Sequence, residues 1–532
     1  MRIKFFVGES VFTNKKQQCM QLNPAYYFLK AYYEKVGKHY DQYTWLQTEY
    51  FLDSYSELLE RVENEKADIL CFSMFVWNWE YYYDFIKLVK QKHPHIKIIV
   101  GGPEVHPEKD KEFFTKFPHI DYAVYNEGEH AFSQLLDSFY SDDDCKFTNL
   151  ATKDKVYPYR MFKFKDEPKF NAYLDFKEEL KKDYELIRSL NYNNIVLSYE
   201  RVKGCPYKCS FCDWHQGNHK INIRSTDWKD ELDFISSLDS NTYVMDANFG
   251  IFEEDLTLFD YALDLHKKNN NFILGISNVA KLHKDRVYYM YDKLLEVNPR
   301  YRIKISLQDL NSEVLDNIDR PEIPWHEHRQ YLIDLREKHK NSRIEIEIIN
   351  GLPGSTKEKI LTQYVEFADV RANSILIHYW IMLIGSPAYD KSYREKHHIG
   401  SINTFVVQDK VIDNPDVNNM LTGEVISNGH FAEMLYDQNL GIDGLIYNNV
   451  MSEFYKAIAA KHNSGYSLSK EIFLSEYARY ENFISKLTKY IVSNMQTVKH
   501  GDKEYLLWAV VYKQKLYSYR LFLQEVFAKT IK

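Results

Sequence analysis

Residues 1–140 alternate short β-branched or aromatic runs with segments whose apolar residues recur three and four positions apart. Ile3–Gly8, Ala67–Phe75, Ile96–Gly102 and Asp121–Asn126 read as strands, with a weaker one near Tyr43–Trp45. Between them AYYFLKAYYEKV, SYSELLERVEN, EYYYDFIKLVKQK and KDKEFFTKF carry the helical period. Continuous apolar strands separated by amphipathic helices predict an α/β fold with a doubly wound, Rossmann-like parallel sheet. Ligands of such sheets sit at the C-terminal strand ends, here Gly8–Ser10, Ser73–Trp77, Gly101–Glu104 and Asn126–Glu129.

Residues 141–193 are charged, lysine-rich and weakly periodic, and read as a linker wrapping a second domain. Over 194–400 the alternation restarts with Ile195–Tyr199, Tyr243–Ala247, Phe272–Asn278, Arg302–Gln308, Ile344–Gly351 and Ile375–Leu383 as strands. Helical patterns such as DWKDELDFISSL and VYYMYDKLLEV fill the gaps, so the expected architecture is a partial (β/α)6 barrel. Beyond Ser401 the segments FAEMLYDQ, VMSEFYKAIAAKH, EIFLSEYARYENFISKLTKYIVSNM and EYLLWAVVYKQKLYSYRLFLQEVFAKT all fit a helical period. That makes 401–532 an expected, mostly helical third region.

Composition narrows this picture without redirecting it. The chain has 532 residues, 45% hydrophobic and 27% charged, which is globular and long enough for two or three cores. The 43 tyrosines and 32 phenylalanines suit large aromatic cores. A net charge of −8 offers no basic footprint for nucleic acid. The most apolar stretch, Ile375–Gly385, is too short to span a bilayer, and MRIKFFVGES lacks the form of a secretory signal. Six cysteines in so long a chain are not a disulfide scaffold and point to a reducing cytoplasm. Cys19, Cys71 and Cys145 are scattered and read as ordinary core or surface thiols.

Cys205, Cys209 and Cys212 are different: they form C-x3-C-x2-C just past the first strand of the expected barrel. Zinc held by these three and His215 is one reading, although structural zinc sites usually draw ligand pairs from separate elements. An iron–sulfur cluster is the other, with three thiolates leaving one iron open, and an open metal position marks catalysis. His106, His130 and His215 are lone loop histidines, which are more often solvated or structural than catalytic.

ERVKGCPYKCSFCDW resembles the cluster loop of the radical S-adenosylmethionine enzymes. Its Glu200, GCPY and CDW are similar to the branch carrying an N-terminal cobalamin-binding domain. The resemblance implies that Cys205, Cys209 and Cys212 hold a [4Fe-4S] cluster whose vacant iron chelates S-adenosylmethionine. Reduction would then release methionine and a 5′-deoxyadenosyl radical. DANFG, SLQDLN, INGLPGST and LIGSPAY fall where the family contacts that cofactor, so Phe211, Asp246, Asn248, Ser306, Gln308 and Leu352 are its expected contacts. Helix capping by Asn311 or Asp309 explains part of SLQDLN equally well. VGGPEVHPE and YNEGEHAF resemble segments of the cobalamin domain, which makes Gly8, Ser73, Met74, Gly101, Gly102, Pro103, Glu104, Glu127 and Gly128 expected cobalamin contacts. No Asp-x-His-x-x-Gly follows the first strand, so no histidine is evident as a lower ligand for cobalt.

The resemblance covers about residues 1–390. It implies a methyltransferase acting on an unactivated carbon of a small molecule or of a natural-product or peptide intermediate, with an electron donor such as flavodoxin or ferredoxin. A rearrangement or oxidation by the same radical, and a zinc-stabilised binding protein, are the alternatives.

Overall fold

The apolar runs near the N-terminus pair as the alternation predicts. Strands β1 (Arg2–Phe6), β3 (Thr44–Trp45), β4 (Ile69–Ser73), β5 (Lys97–Gly101), β6 (Tyr122–Val124) and β7 (Leu150–Thr152) form one sheet in the order β3-β1-β4-β5-β6-β7, while β2 (Cys19–Leu22) joins another. All pairs are parallel except β6 with β7. This computed structural model describes residues 1–8, 19–141, 146–190, 192, 194–214, 220–276, 279–407, 411–413, 429–462, 468–500, 502–513 and 515–531.

Adjacent side chains of a strand point to opposite faces, and β1 shows what covers each. Phe6 joins Phe72, Ile98 and Val100 in a core with Leu58 and Val62 of α2 (Tyr55–Asn64) and Phe85, Ile86 and Val89 of α3 (Trp79–Lys92). Phe5 turns the other way, its ring 4.9 Å from Tyr26 of α1 (Ala25–Val36) and 5.6 Å from Phe132 of a helix over Glu129–Ser138. With both faces covered, apolar residues run continuously along the strands instead of alternating. The order reverses at β1, between β3 and β4, and crevices at such a switch point receive ligands.

The chain divides into two compact units, one of Met1–Pro206 with Asp213–Val279, the other of Tyr207–Cys212 with Ala280–Lys532. The first unit holds a second parallel sheet, in which β8 (Asn194–Tyr199), β11 (Asn241–Val244) and β12 (Leu274–Ile276) take β2 as an edge. Between β8 and β11 a short antiparallel pair forms from β9 (Val202–Lys203) and β10 (Asn222–Ile223). The segment 141–193, expected as a linker, supplies β7 and the helix Lys177–Ser189. Its Asp183 is buried and accepts hydrogen bonds from the hydroxyls of Tyr27 and Tyr50 and, at 2.7 Å, from Gln47 Nε2.

In the second unit β13 (Arg302–Gln308), β14 (Arg343–Asn350) and β15 (Ser374–Tyr379) form a three-stranded parallel sheet. All six strands expected of the barrel are thus present, three in each unit, although Ser277 and Asn278 lie outside the described residues. The region after Ser401 corrects the expectation of a mostly helical domain. It contains a mixed sheet of β16 (Ile399–Val407), β17 (Val411–Asp413), β18 (Gly429–Asp437), β19 (Thr497–His500), β20 (Lys503–Tyr512) and β21 (Lys515–Ser518), beside the helices Gly441–Lys461, Lys470–Ser493 and Tyr519–Thr530.

FAEMLYDQ is largely strand because β16 pairs with it residue for residue, from Ile399 with Asp437 to Val407 with Gly429. Its buried residues Phe431, Ala432, Met434 and Leu435 lie on both faces, so no two-residue period marks it as a strand. YLLWAVVY is likewise a continuous apolar run, compatible with a buried helix or a buried strand until its partners are known. No helix among the described residues is long and apolar enough to cross a membrane.

Replacing Asp183 by Ala leaves buried hydroxyl and amide donors unpaired, which costs about 3 kcal/mol. Urea unfolding should show a lower midpoint for the first transition, and an unchanged midpoint would show that the 141–193 segment adds nothing to the first unit's stability.

Candidate active site

The cysteine loop is built to keep its thiols out of water. Cys205 and Cys209 are buried, Cys212 is partly buried, and none of the three is in a disulfide. Before Cys205 the chain turns through Gly204 at φ +89°, where a Cβ would lie 2.3 Å from the Lys220 carbonyl oxygen, so glycine alone fits. Asn248 Nδ2 donates to Cys205 Sγ at 3.0 Å, fixing the orientation of the first cysteine of the loop. Asp246 is buried, and its Oδ1 accepts from the amides of Arg201 (2.8 Å) and Val202 (3.0 Å), pinning the chain that leads into the loop. Burial pushes the Asp246 carboxyl up to about 8 in spite of those amides, and its Oδ2 has no partner among the described residues.

Within the second unit, Ser210 holds the middle of the loop. It is fully buried; its amide donates to the Ile318 carbonyl at 2.9 Å, and its carbonyl accepts from Ala388 N at 3.0 Å. Tyr393 Oη lies 2.7 Å from Ser210 Oγ and 2.6 Å from the Asn317 carbonyl oxygen. The amide of Cys212 bonds back to the Cys209 carbonyl at 3.0 Å, closing a tight turn between these two cysteines. Phe211 packs on a core containing Val314, Ile318, Leu352 and Trp380, with the Arg320 guanidinium 5.9 Å from its ring centre. Leu352 is wholly buried in that core, so any cofactor contact there falls to its backbone.

β13 ends irregularly where the cofactor contacts were expected. The pairing with β14 shifts register between Ser306 and Gln308, and Gln308 takes φ +66°, a strained value for a residue with a side chain. Gln308 Oε1 is buried without a partner among the described residues. Asn311 caps the next helix by accepting from Glu313 N at 3.1 Å, as the capping reading of SLQDLN expects. On the polar face of the same sheet the Ser306 hydroxyl donates to Glu347, which also meets Lys304 at 3.0 Å and His378 at 3.3 Å. Burial opposes the Glu347 charge, but His378, Lys304 and Ser306 outweigh it and pull the carboxyl down to about 2.

In the first sheet the expected contacts sort into two sets. Gly8 and Met74 face inward: a Cβ on Gly8 would lie 2.9 Å from Tyr82 Oη, and the Met74 side chain is in the core. Gly102, at φ +109°, lets β5 close on the backbone of Met74, which a Cβ would meet at 2.7 Å. Gly102 and Pro103 are exposed at the strand end, with Ser73, Gly101 and Glu104 partly exposed beside them in the sequence pattern of burial. Burial pushes Glu104 up to about 7. Glu127 is buried before Gly128, its Oε2 has no partner among the described residues, and burial raises its pKa. Past β4, Trp77 stacks on Phe75 with ring centres 4.7 Å apart, and its buried indole N–H has no partner among the described residues.

The histidines are engaged. His130 Nε2 meets Glu167 at 2.7 Å. His106 is buried, with Nδ1 3.1 Å from Glu108 Oε1 and Nε2 2.7 Å from the Pro103 carbonyl and 3.2 Å from Asp213 Oδ2. Burial works against its charge, but the bonds to Asp213 and Glu108 prevail and push it up to about 9. Both ring nitrogens are thus engaged with acceptors of its own loop and with Asp213. His215 and Cys145 lie outside the described residues. Among the described residues no three His, Cys, Asp or Glu side chains are grouped as a metal site. Sequence reasoning passed over Ser210 and the contact between His106 and Asp213, although VHPE and CDW were both conspicuous.

Residues 42–136 match the B12 binding domain family. The chain is 26% identical over 339 residues to the 2-(S-pantetheinyl)-carbapenam-3-carboxylate methyltransferase of Streptantibioticus cattleyicolor, covering 61% of this chain and 48% of that protein. It is 29% identical over 303 residues to TokK of Streptomyces tokunonensis, a cobalamin-dependent radical SAM methyltransferase, covering 55% and 43%. Over these spans the chain is similar to two methyltransferases, one of them cobalamin-dependent and radical SAM by name. It spans about half the length of these curated relatives, 48% and 43%. Its fold is that of the radical S-adenosylmethionine methyltransferase TsrM from Kitasatospora setae, solved with cobalamin and a [4Fe-4S] cluster, at TM-score 0.57 and 12% identity over 92% of this chain and 99% of that one. The cobalamin-dependent enzyme OxsB aligns at TM-score 0.55 and 13% identity, over 93% and 72%.

The depressed Glu347 carboxyl yields a pH prediction. Its stabilisation is complete above the ordinary value of 4.5 and is lost as pH falls towards about 2. Glu347→Gln should therefore flatten the loss of thermal stability between these pH values, and an acid limb identical to that of the unaltered chain would contradict the ion cluster.

Proposed function

We propose that this chain is a cobalamin-dependent radical S-adenosylmethionine enzyme that methylates an unactivated carbon of a small molecule or of a natural-product or peptide intermediate. The observation that carries this reading is the three-cysteine loop directly after β8, with Asn248 bonded to Cys205, in a chain whose residues 42–136 match the B12 binding domain family. Three thiols and no fourth suit a cluster with one iron left for a small ligand. The unpartnered Trp77 N–H and the exposed Gly102–Pro103 at the strand ends of the first sheet suit a flat, amide-bearing macrocycle. When bound, the cluster with S-adenosylmethionine supplies a carbon radical able to remove hydrogen from an unactivated C–H bond, and cobalamin supplies the methyl group.

The chain's own residues bind, orient and shield. Cys205, Cys209 and Cys212 would hold the cluster, with Asn248 orienting Cys205 through its hydrogen bond to Sγ and Ser210 fixing the turn that presents the other two. Gln308 Oε1, buried and unpartnered among the described residues, would accept from an ammonium or hydroxyl of S-adenosylmethionine. Asp246 Oδ2, buried and also unpartnered among the described residues, offers a second polar atom beside Asn248 in the sequence. Burial of Cys205 and Cys209 keeps water from two of the three thiols, as radical chemistry requires of its site. An electron donor such as flavodoxin or ferredoxin would serve it in a reducing cytoplasm.

Anaerobic purification with iron, sulfide, zinc and corrin analysis tests the proposal. Iron and sulfide with corrin uptake are expected; zinc alone would refute the reading, and iron without corrin uptake would leave radical chemistry without methyl transfer. Cys209→Ala should reduce 5′-deoxyadenosine formation to background, whereas His215→Ala should leave the iron content unchanged.

A further inference from the structure

His106, in the loop after β5, and Asp213, just beyond Cys212, are 107 residues apart in sequence, yet they meet in the first unit. Both side chains are nearly buried, 5% and 10% exposed. Among the described residues the His106 ring meets three acceptors: Asp213 Oδ2, the Pro103 carbonyl and Glu108 Oε1. Asp213 Oδ1 is buried without a partner among the described residues, so His106 supplies the hydrogen bond seen at this carboxylate. Glu108 also accepts from the ring, so among the described residues His106 lies between two carboxylates and holds Asp213 from the B12-domain side.

We propose that His106 is a positioning residue, which ties the downstream end of the cysteine loop to the strand-end loop of the B12 binding domain. The inference rests on the functional reading above, since it assigns that link the task of holding two cofactor-bearing loops in register. Asp213 directly follows Cys212, and His106 lies on the same short loop as Gly102–Pro103. A displacement at either end of the contact is therefore passed to a cluster ligand or to the expected cobalamin contacts through very few rotatable bonds. Methyl transfer demands close control of such separations, because a small misplacement of reacting groups lowers rates steeply.

The test uses the full chain reconstituted with iron, sulfide and hydroxocobalamin, comparing the unaltered protein with His106→Gln and Asp213→Asn. After reduction, the magnetic dipolar coupling between cob(II)alamin and the reduced cluster reports their separation by electron paramagnetic resonance. Both variants should retain iron and corrin but show a shifted or broadened coupling, which a residue serving only folding would not produce. In the cofactor-free chain, amide exchange around Asp213–Trp214 should rise about tenfold in His106→Gln, the size of one lost charge-assisted hydrogen bond. An unchanged coupling in either iron- and corrin-loaded variant overturns the proposal. If the unaltered chain takes iron but no corrin, the cobalamin reading itself fails; the exchange arm then decides the link, and unchanged exchange overturns it. Should His106→Gln fail to fold, the near-isosteric Asp213→Asn decides by the same two readouts.

Discussion

The burial of Ser210 is the constraint on which the candidate site depends. A serine with no exposed surface must satisfy its amide, carbonyl and hydroxyl inside the protein, and here Ile318, Ala388 and Tyr393 do so. Because Cys209 and Phe211 are its immediate neighbours, the direction of the loop follows from those bonds. The Cys212–Cys209 turn and the packing of Phe211 beside Leu352 and Trp380 follow in turn. A loop left to solvent would let three thiols wander, whereas this one has few ways to move.

Buried carboxyls recur at the C-terminal ends of parallel strands. Asp246 after β11 and Asp309 after β13 are pushed up to about 8 and 6, each chiefly by burial. Asp246 and Asp309 spend oxygens on backbone amides, so they shape the turns leaving their strands. The strained Gln308 backbone and the register shift beside it belong to the same set of strand ends. Strain and costly burial gathered there, away from the apolar cores, mark where the fold gives up stability for chemistry.

Much of this was readable from the chain. The first parallel sheet followed from apolar runs such as Ile69–Phe72 and Ile98–Val100, because strands covered on both faces need no alternation. The barrel strands followed from the same logic, and the cysteine loop from its spacing. β2 and β7 were not legible: each is short and becomes a strand only because β8 or β6 presents an unpaired edge. The strands at Gly429–Asp437 and Lys503–Tyr512 were hidden for a related reason. Buried on both faces, they imitate a helix until a distant partner is known.

What the sequence by itself determined was local and chemical: three thiols at a fixed spacing, and strands that alternate with helices. Periodicity and ligand spacing act between residues close in the chain, so they survive in a one-dimensional record. Only the tertiary structure decided which residues hold those parts in place, since Ser210 with Tyr393, His106 with Asp213 and Asp183 with Tyr27 are each separated by more than a hundred residues. Their pairing is selected by burial, because a polar group removed from water must find a partner wherever the folded chain places one.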